Sequence, residues 1–479
     1  MSALGGTWEM VVGLEVHTEL KTATKLFCGC ANAFGGEPNT NVCPVCLGLP
    51  GSLPVLNEAA VELAIRIGLA LHCEVLPSTF ARKNYFYPDQ PKDYQISQYD
   101  QPINAEGYLD LPDGTRVRIE RAHMEEDTGK TTHLGGSGRI HGADESIVDY
   151  NRAGVPLVEI VSGPDIRSAE QARLYAAELR AILIASGASD GRMEEGSMRV
   201  DANVSVRQGP DAPFGTRCEI KNLNSLRSVL RAIDHEALRQ VTLLEAGGTV
   251  TQETRHWDED AGRTHTLRSK EEATDYRYFP EPDLVPLAPS STQIDSIRAA
   301  LPPMPAERRA SIRSLLGDDG AASSLEQITS VVDQGLDDFV VAAVDAGVPV
   351  SLALARVANE LAGLIADGGE VEVVAMTTLL KMEEAGELSA TQSKAVLAEL
   401  VAAGGDPRSI AKAKGFEQMD EGALDAVLDA VIAENPSEWE RYVGGDDKLA
   451  GFFTGKVMAA TRGQADGKAV NAGLRSRRG

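Results

Sequence analysis

The segment Met198-Arg199-Val200-Asp201-Ala202-Asn203-Val204-Ser205-Val206-Arg207 alternates without a break: every odd position is polar and every even position apolar. A period of two belongs to a strand, so one side of this stretch carries Arg199, Asp201, Asn203, Ser205 and Arg207 while the other enters a core. Arg217-Cys218-Glu219-Ile220-Lys221 repeats the pattern and groups Arg217, Glu219 and Lys221. Near the start, Leu14-Glu15-Val16-His17-Thr18-Glu19-Leu20 sets Glu15, His17 and Glu19 opposite an apolar side. One such strand is explained by an edge whose polar side meets water. Three, paired antiparallel, would gather Glu15, His17, Asp201 and Glu219 with several cations on one sheet face. Mixed acids and bases on one floor suit phosphoryl transfer, where catalysis is mostly positioning and charge neutralisation by metal ions, Lys or Arg.

A second acidic feature could share such an ion. Arg121-Ala122-His123-Met124-Glu125-Glu126-Asp127 sets three carboxylates in a row beside an imidazole. The run is tolerated on a solvated turn, or in a pocket that supplies a cation, because an unpaired buried carboxylate is strongly penalised. Together with the polar strand faces it marks a metal- and ATP-using enzyme. Gly129-Lys130-Thr131 is not a phosphate loop, since the glycine required five positions earlier is Met124.

Cys28, Cys30, Cys43 and Cys46 cluster, while Cys73 and Cys218 stand apart. Met1 to Met10 has neither a basic start nor an apolar run, so no secretory signal and no spanning helix are expected and the default compartment is the cytoplasm. In that setting four thiols in two short pairs fit a structural zinc better than a disulfide framework. A redox pair or reduced buried thiols are the other readings. A closed four-sulfur site would pin a loop and take no part in the chemistry.

The 479 residues suffice for two to four domains. Asn57 caps a helical pattern reaching Leu71, Ser168 with Gln171 forms a capping box for a helix to Ile184, and another helix runs from about Ser225 to Glu245. Between Asn84 and Tyr99, aromatics, amides and two prolines make an ordered loop, with side chains suited to a base, a ribose or an amino-acid head group. Prolines at 280, 282, 286, 289, 302, 303 and 305 end the first domain. Beyond Ala306 the texture is helical, and Leu301 to Glu440 carries 9 basic against 25 acidic residues, a net of −16. The formal charge of −25 argues against indiscriminate nucleic-acid binding but leaves room for a local patch. Asp446 to Gly479 inverts the sign, with 7 basic against 3 acidic residues. Its Lys456, Arg475, Arg477 and Arg478 form either an RNA-contacting tail or a frayed basic end.

Gly13-Leu14-Glu15-Val16-His17, Lys83-Asn84-Tyr85-Phe86-Tyr87-Pro88-Asp89, Tyr94-Gln95-Ile96-Ser97-Gln98, His123-Met124-Glu125-Glu126-Asp127, Met193-Glu194-Glu195-Gly196-Ser197, Asp201-Ala202-Asn203, Lys221-Asn222-Leu223-Asn224-Ser225 and Asp275-Tyr276-Arg277-Tyr278-Phe279-Pro280-Glu281-Pro282-Asp283 carry a resemblance. Together they resemble the GatB family, the B subunits of aspartyl/glutamyl-tRNA amidotransferases, across essentially the whole chain. The resemblance implies an α+β protein. An antiparallel-sheet catalytic cradle over residues 1–292 would be followed by an all-α helical domain over 293–404 and an all-α YqeY-like tail over 405–479 that holds tRNA.

It further implies that ATP converts the side-chain carboxylate of mischarged Glu-tRNA(Gln) or Asp-tRNA(Asn) to an acyl phosphate. Ammonia from the enzyme's amidase subunit, which assembles with this chain and with a third, small subunit, then displaces phosphate. With the residue pattern, this assigns His17, Glu126 and Glu219, helped by Glu15 and Asp201, to Mg2+, with Glu125 as a ligand or behind one. Lys221, Arg199 and Arg217 are assigned to phosphate charge. The four-cysteine knuckle occurs in only some members, so zinc rests on Cys28, Cys30, Cys43 and Cys46 themselves. The alternatives are a stand-alone ATP-dependent ligase and a non-catalytic tRNA-binding adaptor whose acids merely solvate a sheet.

Overall fold

A computed structural model describes residues 6–135, 143–269, 276–366, 368–416, 421–461, 465 and 467–478. Asp275, the first residue of the tyrosine-rich motif, lies outside them. The chain divides into two compact units, Met1–Ala306 and Glu307–Gly479.

The first unit is built on strands β1 (Trp8–Glu19), β2 (Glu74–Val75), β3 (Ala81–Asn84), β4 (Tyr94–Ser97), β5 (Asn104–Asp110), β6 (Arg116–Glu126) and β7 (Lys130–Leu134). It continues with β8 (Glu145–Asp149), β9 (Pro156–Ser162), β10 (Met198–Gln208), β11 (Cys218–Leu223), β12 (Glu253–Asp258), β13 (Arg263–Ser269) and β14 (Phe279–Pro280). Twelve of these form one sheet in the order β13-β12-β11-β10-β1-β9-β6-β4-β3-β14, with β5 pairing to β6 and β2 to β5. β7 and β8 make a separate hairpin.

The sheet is antiparallel, as expected, except at one place. β11 and β12 run parallel. The reason is the helix between them: parallel neighbours need a crossover, and α3 (Leu226–Glu245) supplies it.

Helix starts follow their capping residues. The Asn57 side chain accepts from Ala59 N at 3.0 Å ahead of α1 (Glu58–Ala70). Ser168 accepts from Gln171 N at 3.1 Å, and Gln171 returns by accepting from Arg167 N at 2.9 Å, opening α2 (Ala169–Ala185). Ser225 accepts from Ser228 N at 3.0 Å at the start of α3. α2 and α3 cover one face of the sheet, where Leu14, Val16, Val158, Ile160, Val200 and Val204 pack with Tyr175, Leu179, Val229 and Ile233. Each such side chain contributes about 1.5–3 kcal/mol on burial. The helices leave the opposite, polar face of the sheet open.

The second unit is helical throughout its described residues and holds two apolar cores. One centres on Ile328, Val340, Leu354 and Leu380, the other on Leu428, Phe453, Val457 and Leu474. The chain as a whole is α+β.

One buried acid locks α3 onto the edge strands. Glu236 is fully buried and receives Arg239 at 2.6 Å, Gln240 at 2.9 Å, Thr264 at 3.0 Å and Arg255 at 3.2 Å. Burial works against its charge, yet the hydrogen bonds from Arg239 and Gln240 hold the carboxyl below its ordinary range. A depressed carboxyl stabilises the fold above its unfolded pKa of about 4.3, and that contribution is lost as pH falls through the folded value. Glu236→Gln is therefore expected to destabilise the first unit by about 3 kcal/mol at pH 7. Urea unfolding should show the difference from wild type shrinking as pH drops below about 4.3.

Candidate functional site

Strand register assembles the site. β10, β1, β9 and β6 lie side by side, placing Arg199 opposite His17, His17 opposite Glu159, and Glu159 opposite His123. Neighbouring strands are about 4.8 Å apart, so a row of cross-strand partners is a row of touching side chains. His17 Nε2 lies 3.4 Å from Glu159 Oε2 and 3.8 Å from Glu125 Oε1. His123 Nε2 lies 3.9 Å from Glu125 and 4.0 Å from Glu159, and Arg121 reaches the far Glu159 oxygen at 3.6 Å. One ligand atom from each of His17, Glu125 and Glu159 falls within 4.8 Å of the others, the dimensions of a cation site. Both ring nitrogens of His123 are buried there without a hydrogen-bond partner.

The electrostatics follow from burial and proximity. Burial alone would lower the His17 imidazole, but the hydrogen bond to Glu159 and the charges of Glu159, Glu125 and Asp201 raise it to about 9. Burial dominates at His123 and takes it down to about 4. Glu125 is pushed up to about 6 by burial and by Glu159. Burial opposes the Glu159 charge, yet the two imidazoles and Arg121 hold its carboxyl well below the usual range.

Beside this cluster, β1, β10 and β11 bring Glu15, Asp201, Asn203, Glu219 and Lys221 together. Lys221 Nζ donates to Asp201 at 2.8 Å and approaches Glu219 at 2.9 Å, Asn203 donates to Glu15 at 2.9 Å, and Thr254 donates to Glu219 at 2.9 Å. Burial would lower the Lys221 ammonium, but Asp201 and Glu219 raise it above its ordinary value. Burial and the charges of Glu159, Glu219 and Asp201 raise Glu15. A third group joins Asp127 to Arg199 at 2.5 Å and Arg152 at 3.4 Å. Burial and the Asp127 charge raise its neighbour Glu19 to about 7.

Two cavities of about 400 and 410 Å³ open onto this floor and share His17, Lys83, Glu125 and Lys221 as their common wall. The first also reaches Glu159, Glu219 and Arg217, the second Asp127, Arg199 and Asp201. Tyr99 and Tyr278 stack at 5.0 Å along the first, and Arg121 covers the Tyr99 ring at 4.7 Å.

Glu15, His17, Arg199, Asp201, Arg217, Glu219 and Lys221 thus lie where the alternation expected them, around one cleft, and Glu125, whose phase the acidic run left open, joins them. Glu126 does not. It accepts from Lys92 and, at 3.0 Å, from Ile96 N, and it lines a different, smaller cavity, so its assignment to Mg2+ beside His17 is corrected. The cause is a register shift between Ile119 and Arg121 in β6. It reverses the phase of the strand, so Ala122 and Met124 enter the core, Arg121, His123 and Glu125 face the cleft, and Glu126 points away with Met124. Glu219 and Asp201, expected to share Mg2+ with His17, are each paired with Lys221, while the carboxylates that converge on His17 are Glu125 and Glu159. Glu159 was missed. Its signal is a lone carboxylate in Pro156-Leu157-Val158-Glu159-Ile160-Val161, a run otherwise apolar enough to be a buried strand.

Cys28, Cys30, Cys43 and Cys46 are free thiols whose sulfurs all lie within 4.8 Å of one another. Cys43 and Cys46 are 3.8 Å apart, the edge of a tetrahedron with Zn–S bonds of about 2.3 Å. The hydrogen bond from Cys28 lowers Cys46 to about 5. In the second unit the basic end is an ordered helix, Gly467–Arg478, with Val470 and Leu474 buried. Arg477 is paired to Asp425 and Asp429, each at 2.7 Å, and Arg478 to Asp447 at 2.5 Å. Lys456 lies 5.6 Å from the centre of the Phe452 ring, and Arg475 is exposed.

Comparison with known proteins agrees over the whole length. Residues 10–295 match the family described as GatB/GatE catalytic domain, and residues 338–477 match that described as GatB domain. A protein of Frankia casuarinae is 51% identical over 490 residues, covering 98% of this chain and 96% of the relative. Relatives in Mycolicibacterium smegmatis and Salinispora tropica are each 52% identical over 481 residues, covering 97% of this chain and 94% and 95% of their own lengths. All three are named as B subunits of aspartyl/glutamyl-tRNA(Asn/Gln) amidotransferases. With one family pattern spanning its sheet unit and relatives half identical from end to end, this chain belongs to the GatB family.

Proposed function

We propose that this protein is the part of a tRNA-dependent amidotransferase that activates and amidates the side-chain carboxylate of mischarged Glu-tRNA(Gln) or Asp-tRNA(Asn). The observation that carries the reading is the His17, Glu125 and Glu159 cluster, set between two cavities and flanked by Lys221 and Arg199. ATP is the phosphoryl donor in this reading, and an amidase partner, held together with a small third subunit, supplies ammonia.

The residues fit a divalent ion. Two carboxylates, one buried and one half-buried, and an imidazole converge, and burial together with the charges of Glu159, Glu219 and Asp201 raises the neighbouring Glu15. Mg2+ is held through one or two carboxylates with several waters retained, so Glu125 and Glu159 would be its main protein ligands and His17 a third. When bound it would neutralise phosphate oxygens. Lys221, Arg199 and, at the rim, Arg217 supply fixed positive charge to the same oxygens. A carboxylate is a poor electrophile with a poor leaving group; as an acyl phosphate it yields to ammonia. The stacked Tyr99 and Tyr278 offer a flat wall to the substrate.

We read residues 1–292 as the cradle, 293–404 as a helical domain and 405–479 as the tRNA-holding tail; the two cores of the second unit support two helical parts, with Ala411 packed in the first of them and Ile297 in the core of the sheet unit. The four cysteines are the donor set for a structural zinc.

The purified chain, given ATP, Mg2+, ammonia and Glu-tRNA(Gln), is expected to form the amide without the amidase. No ATP turnover with or without that partner would favour an adaptor. Glu159→Gln is expected to lower kcat by about 10² or more, since it removes one ligand carboxylate and the ion-pair partner of His17. Unchanged turnover would remove Glu159 from the mechanism. Metal analysis is expected to find about one zinc per chain, lost in Cys43→Ser.

A further inference from the structure

Glu126, excluded from the cleft, is engaged on the other side of its strand. Its carboxylate and the Lys92 ammonium form an ion pair in which the two side chains are only 2% and 7% exposed. Ile96 N also donates to the carboxylate at 3.0 Å, and Gln95 donates to the Glu126 carbonyl at 2.7 Å. A buried pair of this kind is costly to assemble and more costly to break, so its placement has consequences for both ends it joins.

One end is the cysteine lobe. The Lys92 stem passes so close to Gly48, in the loop just after Cys46, that a Cβ built there would overlap Lys92 Cγ. Gly48 also has φ +65°, so glycine is required twice over. Cys28, Cys46, Gly48, Lys92, Glu126 and Gly154 line one cavity of about 50 Å³. Gly154 is a second bridge: a Cβ there would meet Cys46 at 3.6 Å and Glu126 Oε2 at 3.9 Å. Its N–H donates to the Asp127 carbonyl at 2.9 Å, and its carbonyl accepts from Leu26 N at 2.9 Å.

The other end is the cleft. Glu125 and Asp127 flank Glu126 on β6 and the residue after it, and both line the cleft. Holding Glu126 in place from behind therefore fixes the backbone on which Glu125 approaches His17 and Glu159. The β6 bulge sets the phase of this end of the strand, and the Lys92 pair adds to the β9 pairing and the Ala122 and Met124 core contacts that hold it.

We propose that Lys92 and Glu126 are positioning residues that couple the four-cysteine cluster to the cation site, so that the state of the cysteines sets the affinity of His17, Glu125 and Glu159 for a divalent ion. The proposal rests on the cation site proposed above. Partners of this kind behind a metal ligand change affinity by about 10–100-fold.

Mn2+ binding to the full-length chain, followed by electron paramagnetic resonance, tests it without turnover. The wild type is expected to bind one equivalent that Glu159→Gln loses; failure here overturns the cation site and the coupling with it. With that binding in hand, Lys92→Met is expected to weaken Mn2+ about tenfold while Lys92→Arg largely restores it. Cys43→Ser, or zinc removal by a chelator, should weaken Mn2+ similarly and add little to Lys92→Met. Near-UV circular dichroism checks that each variant is folded. Should Lys92→Met not fold, Gly48→Ala displaces the lysine stem and is expected to act in the same direction. Folded variants that bind Mn2+ within twofold of wild type, or Cys43→Ser and Lys92→Met effects that multiply independently, would overturn the coupling and leave the cation site standing.

Discussion

The first unit depends on a carboxylate placed where a sheet of this kind has little tolerance for one. Glu159 sits in the middle of β9, between β1 and β6, flanked by Leu157, Val158, Ile160 and Val161. Left unpaired, a charge so desolvated would cost several kcal/mol, a large part of the stability of an ordinary domain. His17 on one side and Arg121 and His123 on the other answer it. Those partners come from both neighbouring strands, so satisfying Glu159 fixes two registers at once. A slip of one residue would turn Glu159 into the α2 and α3 core and Val158 into the cleft. Fold specificity and site geometry are thus set by the same contact.

The cleft also divides its acids into those already matched and those in surplus. Asp201 and Glu219 hold Lys221, which acts as a built-in cation on the same floor. Asp127 is matched by Arg199 and Arg152. Glu125 and Glu159, faced by His17, Arg121, the Lys83 charge and a His123 lowered to about 4, are the pair for which an added ion brings the greatest relief. Burial and charge therefore point to one metal centre beside a fixed ammonium. In the proposed phosphoryl transfer, charge neutralisation would come from two chemically different sources on one floor.

Local pattern carried much of this. The unbroken alternation from Met198 to Arg207 and the shorter one around His17 fix which side chains share a face, because the period of a strand depends on nothing distant. The four cysteines and the caps at Asn57, Ser168 and Ser225 are equally local. What escaped depends on pairing or on irregularity. A bulge between Ile119 and Arg121 decides whether Glu125 or Glu126 faces the cleft, and its one local sign is the passage of the apolar positions from Val117 and Ile119 to Ala122 and Met124 across the polar pair Glu120-Arg121. Glu159 becomes meaningful only when His17, 142 positions earlier, lies opposite, as the pairing of β1 with β9 provides. The parallel step from β11 to β12 follows from where α3 returns the chain, a property of the whole crossover.

The same distinction governs the basic end of the chain. Its composition reads as free positive charge, but Arg477 spans Asp425 and Asp429 one helical turn apart, and Arg478 reaches Asp447. These pairs are largely exposed, and exposed pairs contribute little net stability because solvent and salt compete for both partners. A phosphate backbone competes in the same way, and with more charge. In the proposed tRNA-holding tail, then, the aspartates do not cancel the arginines. They keep the guanidiniums ordered on Gly467–Arg478 until a stronger anion arrives, so that part of the ordering cost of binding is met before contact. The acids so released would lie beside the nucleic acid and repel it, which limits affinity. If the chain amidates tRNA as proposed, product release after each turnover is better served by that balance than by an unopposed basic patch.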